Sequence, residues 1–267
     1  MPKSLNIKEK IITALITKGV VSPKELMREL KISKSTLYKY LKKYKIVLPE
    51  KELYFDNTVF DIIDSEKKAY WLGFLYADGF INDKYNNSVE LSLKGEDIGH
   101  LNKFNEFIKN KRPIKLSFTG KDHKFTRCRC IITDKHFHDQ LVLLGCVPNK
   151  SLVTKFPSMK IFQYENLIYP FLRGYLDGDG SIMENKKSGK LVISFLGTKE
   201  FLEGIMNVFK GKFKSLHSTR SSKLGKNHYE ISCSFSNADQ VGSLLYKDFS
   251  ICLERKYKKF AKLCRNA

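Results

Sequence analysis

The 267-residue chain has six cysteines but no Cys-x-x-Cys pair, and no histidine stands at zinc-ligand spacing from any of them. A reduced, intracellular protein without structural zinc is the simple expectation. The opening MPKSLNIKEK lacks the apolar core of a signal peptide, and no run approaches membrane-spanning length. A cytoplasmic location, prokaryotic or phage-encoded, with no membrane partner follows as an expectation; an organelle stays open. Acidic residues are also scarce: 28 Asp and Glu stand against 48 Lys and Arg, a formal charge of +20. The excess runs through the whole chain, and a broad positive field of that size points to nucleic acid.

What is present begins with apolar periodicity. Ile7, Ile11, Ile12, Leu15 and Ile16 make one helical stripe ended by Gly19. Ser22, Pro23 and Glu25 fit an N-cap, a first-turn proline and a capping-box acid for a second helix through Leu30. Ser33 can cap a third, with Leu37 and Leu41 inward and Lys34, Ser35, Thr36, Tyr38 and Lys39 outward. Two helices joined by a short turn, the second polar and basic, resemble the helix-turn-helix DNA-binding family. Residues 1–46 are therefore expected to form a small all-α DNA-binding domain. Residues 47–65 lose the helical period and are expected to be a linker.

The rest of the chain repeats itself. LGFLYADGFI (72–81) aligns without a gap with RGYLDGDGSI (173–182), matching Gly73 to Gly174, Leu75 to Leu176, Asp78 to Asp179 and Gly79 to Gly180. Each copy is followed by strand-like alternation (88–93; 191–196), an amphipathic helix, more strand-like sequence (114–118 and 127–133; 213–216 and 229–235) and a closing helix. A calcium loop starting at Asp177 would need glycine where Ile182 stands and glutamate where Ser188 stands. Neither copy has the spacing of a P-loop. If residues 67–77 and 170–178 are helical, Gly73 and Ala77, like Gly174 and Gly178, lie four apart on one face almost without side chains. Glycine in a helix costs up to about 1 kcal/mol against alanine, so the pattern needs a compensating close approach. Two such helices packed together would bring Asp78 and Asp179 side by side, a pair able to present divalent metal to phosphate.

WLGFLYADG and LRGYLDGDG resemble the motifs of LAGLIDADG homing endonucleases of the single-chain, two-motif type, over about residues 66–262. The resemblance implies an α+β fold: a pseudo-two-fold pair of αββαββα halves (66–160 and 161–267) forming a DNA-binding saddle. It implies a metal-dependent, site-specific endonuclease making double-strand breaks at a long asymmetric target, acting as a monomer. The implied metal set is Asp78 and Asp179 with Ala77 and Gly178 before them, using Mg²⁺, with Mn²⁺ as a substitute and Ca²⁺ supporting binding without cleavage. Lys150 and Lys256 are the lysines the family places near each centre, and Lys94 is a further polar candidate. Asp177 is expected to be structural. Tyr76, Arg173 and Gly178 depart from the usual pattern. Duplex DNA contacts are expected from Lys84, Asn86, Lys115, Arg127 and Arg129 in the first half. In the second they are expected from Lys186, Lys190, Arg220, Lys223 and His228, some reading bases and others touching phosphate. Two other readings keep the fold: a non-cleaving transcription regulator, and an intron maturase whose partner is intron RNA.

Overall fold

The computed structural model describes residues 6–16, 23–46, 48, 54–82, 86–119, 125–218 and 227–264. They fall into two compact units that divide between Leu53 and Tyr54.

The smaller unit holds three helices, α1 (Ile7–Ile16), α2 (Pro23–Leu30) and α3 (Lys34–Lys43). Ile11, Ala14, Leu26, Leu37 and Leu41 form its core. Lys31 takes a left-handed φ of 53°, which turns the chain between α2 and α3 within three residues. Ser33 then caps α3, its Oγ accepting the Thr36 amide at 3.2 Å. Lys34, Ser35, Tyr38 and Lys39 are exposed and Thr36 half-buried. Ser22, the expected cap of α2, lies outside the described residues.

The larger unit is built from two like halves. The first runs α4 (Glu66–Asp78), β1 (Gly79–Asn82), β2 (Ser88–Lys94), α5 (Ile98–Phe107), β3 (Lys115–Thr119), β4 (Phe125–Thr133) and α6 (Lys135–Leu143). The second runs α7 (Ile168–Asp179), β5 (Ser181–Glu184), β6 (Leu191–Gly197), α8 (Lys199–Val208), β7 (Leu216–Ser218), β8 (Tyr229–Ser234) and α9 (Ser236–Leu245), followed by α10 (Glu254–Cys264). Each half has one antiparallel four-stranded sheet, in the orders β1-β2-β4-β3 and β5-β6-β8-β7. Helices cover one face of each sheet. In β2, Val89, Leu91 and Leu93 point into the core, while Ser88, Glu90, Ser92 and Lys94 face out. That alternation leaves each sheet one uncovered face.

Two expectations need correction. The segment from Tyr54 to Ile63 is no linker within this unit, because Phe55, Val59, Phe60 and Ile63 are buried in its core. Phe55 meets Phe137 edge-on at 5.4 Å, the Asp56 amide donates to the Ile108 carbonyl, and the Lys111 amide donates to that of Tyr54. An irregular strap buries apolar side chains without any period, which is why periodicity missed it. The strand expected at 213–216 starts only at Leu216. Phe213 instead packs among the core aromatics, 6.0 Å from Phe195. Among the described residues no helix is long and apolar enough to cross a membrane.

Candidate functional site

The site is made by the contact of α4 with α7. A Cβ at Gly73 would lie 1.9 Å from the Phe171 carbonyl oxygen, and one at Gly174 would lie 2.0 Å from that of Tyr70. Backbone therefore packs on backbone, closer than side chains allow. At the far end of the pair, a Cβ at Gly178 would lie 2.3 Å from the Ala77 Cβ and 3.4 Å from Asp78 Oδ2. The last turns of the two motifs thus meet, and Asp78 and Asp179 end their helices there before β1 and β5 lead away.

A lysine is latched to each helix end. Lys150 Nζ donates to the carbonyls of Leu75 (2.9 Å) and Ala77. Lys256 Nζ donates to those of Leu176 (2.8 Å), Gly178 (3.1 Å) and Gly180 (2.7 Å). In the repeat register Leu75 matches Leu176 and Ala77 matches Gly178, so both lysines satisfy the same two terminal carbonyls of their own helix. The Leu75 and Leu176 carbonyls also accept the amides of Gly79 and Gly180 that close each helix, so the lysine is a second donor there, and the cation answers the negative helix end. Neither ammonium is tied up by a carboxylate in these bonds.

The four charges form one cluster. Burial is the largest influence on Asp78 and raises its pKa, which Lys150, Lys256 and Arg255 oppose. Burial and then the neighbouring Asp78 push Asp179 up to about 6, against the pull of the two lysines. Burial lowers Lys150, and it lowers Lys256 to about 8. Asp179 keeps an open edge toward solvent while Asp78 is half-buried, so the carboxylates are crowded but reachable. A cavity of about 220 Å³ opens on Asp78, lined by Ser92, Lys94, Arg127 and Arg255. Another of about 310 Å³ opens on Asp179, lined by Lys150, Gly197, Thr198 and His228.

The donor set suits a hard cation. Magnesium is held by one or two carboxylates, with water and substrate phosphate completing the shell, and does not need a full protein cage. Among the described residues no three His, Cys, Asp or Glu cluster as metal ligands. Two aspartates meet at a side-chain-free glycine, and the carbonyls of Ala77 and Gly178 each keep a second lone pair beside the lysine bond. These residues fit the ion.

The other named residues spread out. Lys94 is exposed, 4.0 Å from Glu96, on the rim of the Asp78 cavity. Lys115, Arg127 and Arg129 share the uncovered face of the first sheet. Asn86 sits in the β1–β2 turn with φ 61°, and Lys186 and Lys190 in the β5–β6 turn. Lys84, Arg220 and Lys223 lie outside the described residues.

The departures from the motif pattern find local partners. Asp177, 1% exposed, accepts from Tyr70 Oη (2.8 Å), Tyr246 Oη (3.2 Å) and the Leu253 amide (2.7 Å), which is a structural role. Arg173, 2% exposed, donates to the Leu245 and Ile251 carbonyls and pairs with Glu66. Tyr76 Oη donates to the Leu144 carbonyl. Sequence reasoning missed Arg255, which forks onto Asp97 at 3.0 and 3.2 Å and faces Asp78 across its cavity. Its one signal was its place beside Lys256.

Two like halves, one sheet order and two aspartates at a helix contact decide the comparison with known folds. The larger unit has the LAGLIDADG two-half fold. The homing endonuclease I-WcaI bound to its DNA recognition sequence matches with a TM-score of 0.55 and 15% identity, over 82% of this chain and 96% of that one. I-LtrWI, a LAGLIDADG homing endonuclease bound to target DNA, matches at 0.48 and 12% identity, over 75% and 91%. The N-terminal LAGLIDADG domain of DUF199/WhiA matches at 0.42 and 13% identity, over 72% and 89%. Neither a protein-family profile nor a curated protein matches the chain.

Proposed function

We propose that the chain is a monomeric, site-specific endonuclease that hydrolyses both strands of duplex DNA. The observation that carries this reading is the lysine-latched pair of carboxylates at the glycine contact of α4 and α7. A non-cleaving fold scaffold has no need to hold two carboxylates with raised pKa together, since their repulsion costs stability.

In this reading Asp78 and Asp179 hold the divalent ions, Mg²⁺ first, with Ala77 and Gly178 lending carbonyls. The ions, when bound, supply Lewis-acid stabilisation of charge at the scissile phosphates. Each aspartate serves one strand. Lys150 and Lys256, fixed by helix carbonyls, place positive charge where negative charge grows during hydrolysis. Arg255 and Lys94 border the Asp78 cavity and hold the approaching phosphate. Outward basic residues of the strands and turns, with Lys34, Ser35, Thr36, Tyr38 and Lys39 of the three-helix unit acting as a helix-turn-helix, fix the duplex in register. The unlike halves imply an asymmetric target.

The test is incubation of a randomised duplex library with Mg²⁺, beside a Ca²⁺ control, sequencing both cut ends and retained DNA. Cut ends sharing a long consensus only with Mg²⁺ support the endonuclease. Retention of a consensus without cuts replaces it with a regulator, and capture of intron RNA in place of duplex replaces it with a maturase.

A further inference from the structure

The two uncovered sheet faces carry different chemistry. On the first, the β2–β4–β3 register sets Lys94 opposite Arg127 and Arg127 opposite Ser117. The next outward row sets Ser92 opposite Arg129 and Arg129 opposite Lys115. Four cations stand in two adjacent rows. On the second face the corresponding rows are Leu196–Glu230–His217, Ser194–Ser232 and Val192–Ser234, with Ser181 opposite Ser194 and Met183 opposite Val192, and Ser194 itself is buried. No described residue there is lysine or arginine. The second half's described cations near the sheet, Lys186, Lys187 and Lys190, sit in the exposed β5–β6 turn.

A second observation falls on the same rows. Arg129 Nε and Ser92 Oγ, register partners, are buried without a hydrogen bond. Buried polar atoms seldom stay unpaired, and each such group asks what completes it. Arg129 Nη1 lies 3.8 Å from Glu90, which steers the guanidinium while leaving donors unspent. Ser92 and Arg127 also line the Asp78 cavity, which places these rows beside the proposed cleavage centre.

Resting on the DNA-binding reading above, we infer that the first sheet demands guanines next to the Asp78 centre through Arg127 and Arg129, a readout for which the described strand face of the second half holds no arginine fork. An arginine fork matches guanine O6 and N7 in the major groove. Serine pairs with either kind of base edge, and aliphatic side chains favour only the thymine methyl. Turn lysines hold phosphate, which sets register without reading sequence.

The experiment is selection of randomised duplex DNA retained by the full chain in Ca²⁺, repeated with Arg127→Ala, Arg129→Ala and Arg129→Lys. The expected consensus carries guanines beside the Asp78 centre. Arg129→Ala and Arg129→Lys should each lower discrimination at one guanine by roughly tenfold. The lysine variant keeps the parent's affinity for duplex that lacks that guanine, which guards against misreading a folding defect. A consensus without guanines beside the Asp78 centre overturns the inference. So does uniform weakening on all duplexes with a shallower salt dependence, the mark of phosphate contacts. Retention of this consensus without Mg²⁺ cleavage sinks the endonuclease and leaves the inference standing, whereas no retention of any duplex sinks both.

Discussion

The two halves of the larger unit repeat one plan and support it differently. Both place an aspartate at the end of a glycine-bearing helix and tie a lysine to the same two carbonyls. Two residues before the aspartate they diverge. Tyr76, itself buried, donates to the Leu144 carbonyl within its own half and meets Phe171 edge-on, 5.0 Å away. Asp177 turns inward and gathers three donors, one of them Tyr70 from the opposite motif helix. Tyr70 Oη also meets His100 Nε2 at 2.9 Å, so a chain of polar contacts crosses between the halves. The aspartate, the glycine contact and the lysine bonds are kept twice, while the scaffolding behind them differs.

The sharpest way to break the comparison is to remove one centre at a time. Asp78→Asn and Asp179→Asn should each lower double-strand cleavage by roughly 10²–10³-fold at little cost in DNA affinity, read by gel assay and by binding in Ca²⁺. If each aspartate serves one strand, each variant leaves a different nicked strand. Lys150→Met and Lys256→Met should fall less, roughly 10- to 100-fold, because they support the centre without ligating it. Equal loss of activity in the two lysine variants would extend the symmetry beyond the carbonyl bonds, and a tenfold gap would end it.

The helix contact and its support can be sharpened by stability. Gly178→Ala should destabilise by about 1–3 kcal/mol, since its new methyl meets Ala77 Cβ. Combining it with Ala77→Gly should recover most of the loss, which a thermal melt would read. At the diverged position, Asp177→Asn weakens a buried acceptor of three donors, and about 1–3 kcal/mol is expected. Tyr76→Phe removes one hydrogen bond and should cost about 1 kcal/mol. The reverse order would mean that the Tyr76 side carries the interface.

Much of this was legible beforehand, and the reason is repetition. Two aligned motifs disclosed the helix pair, the aspartates and the paired halves, because glycine at four-residue spacing makes sense only where backbones touch. Lys150 and Lys256 came from the resemblance, not from spacing. The strap from Tyr54 to Ile63 escaped because it packs without period. Arg255 and the Tyr70–Asp177–Tyr246 contacts escaped because they join positions far apart in the chain. The difference between the sheet faces was hidden too, since only register shows which strand residues share a face.

A further expected effect concerns charge alone. Crowding by protein and by Asp78 holds Asp179 at about 6, above its ordinary 3.8. A carboxyl raised on folding contributes stability that is complete below pH 4 and is lost as pH rises through 6. Without metal, Asp179→Asn should therefore melt higher than the parent at pH 7.5, with the gap closing by pH 4. Asp78→Asn should gain less, because Arg255 adds a third cation to the two lysines that oppose the upward push of burial on Asp78. Mg²⁺ should raise the parent's melting temperature and not the variant's, since an ion that binds only the folded state stabilises it by mass action. The same titration sets activity: cleavage should decline as pH falls through about 6, where a proton on Asp179 competes with the ion. If Asp78→Asn gained as much as Asp179→Asn, the arginine would not distinguish the centres, and the two halves would be electrostatically alike.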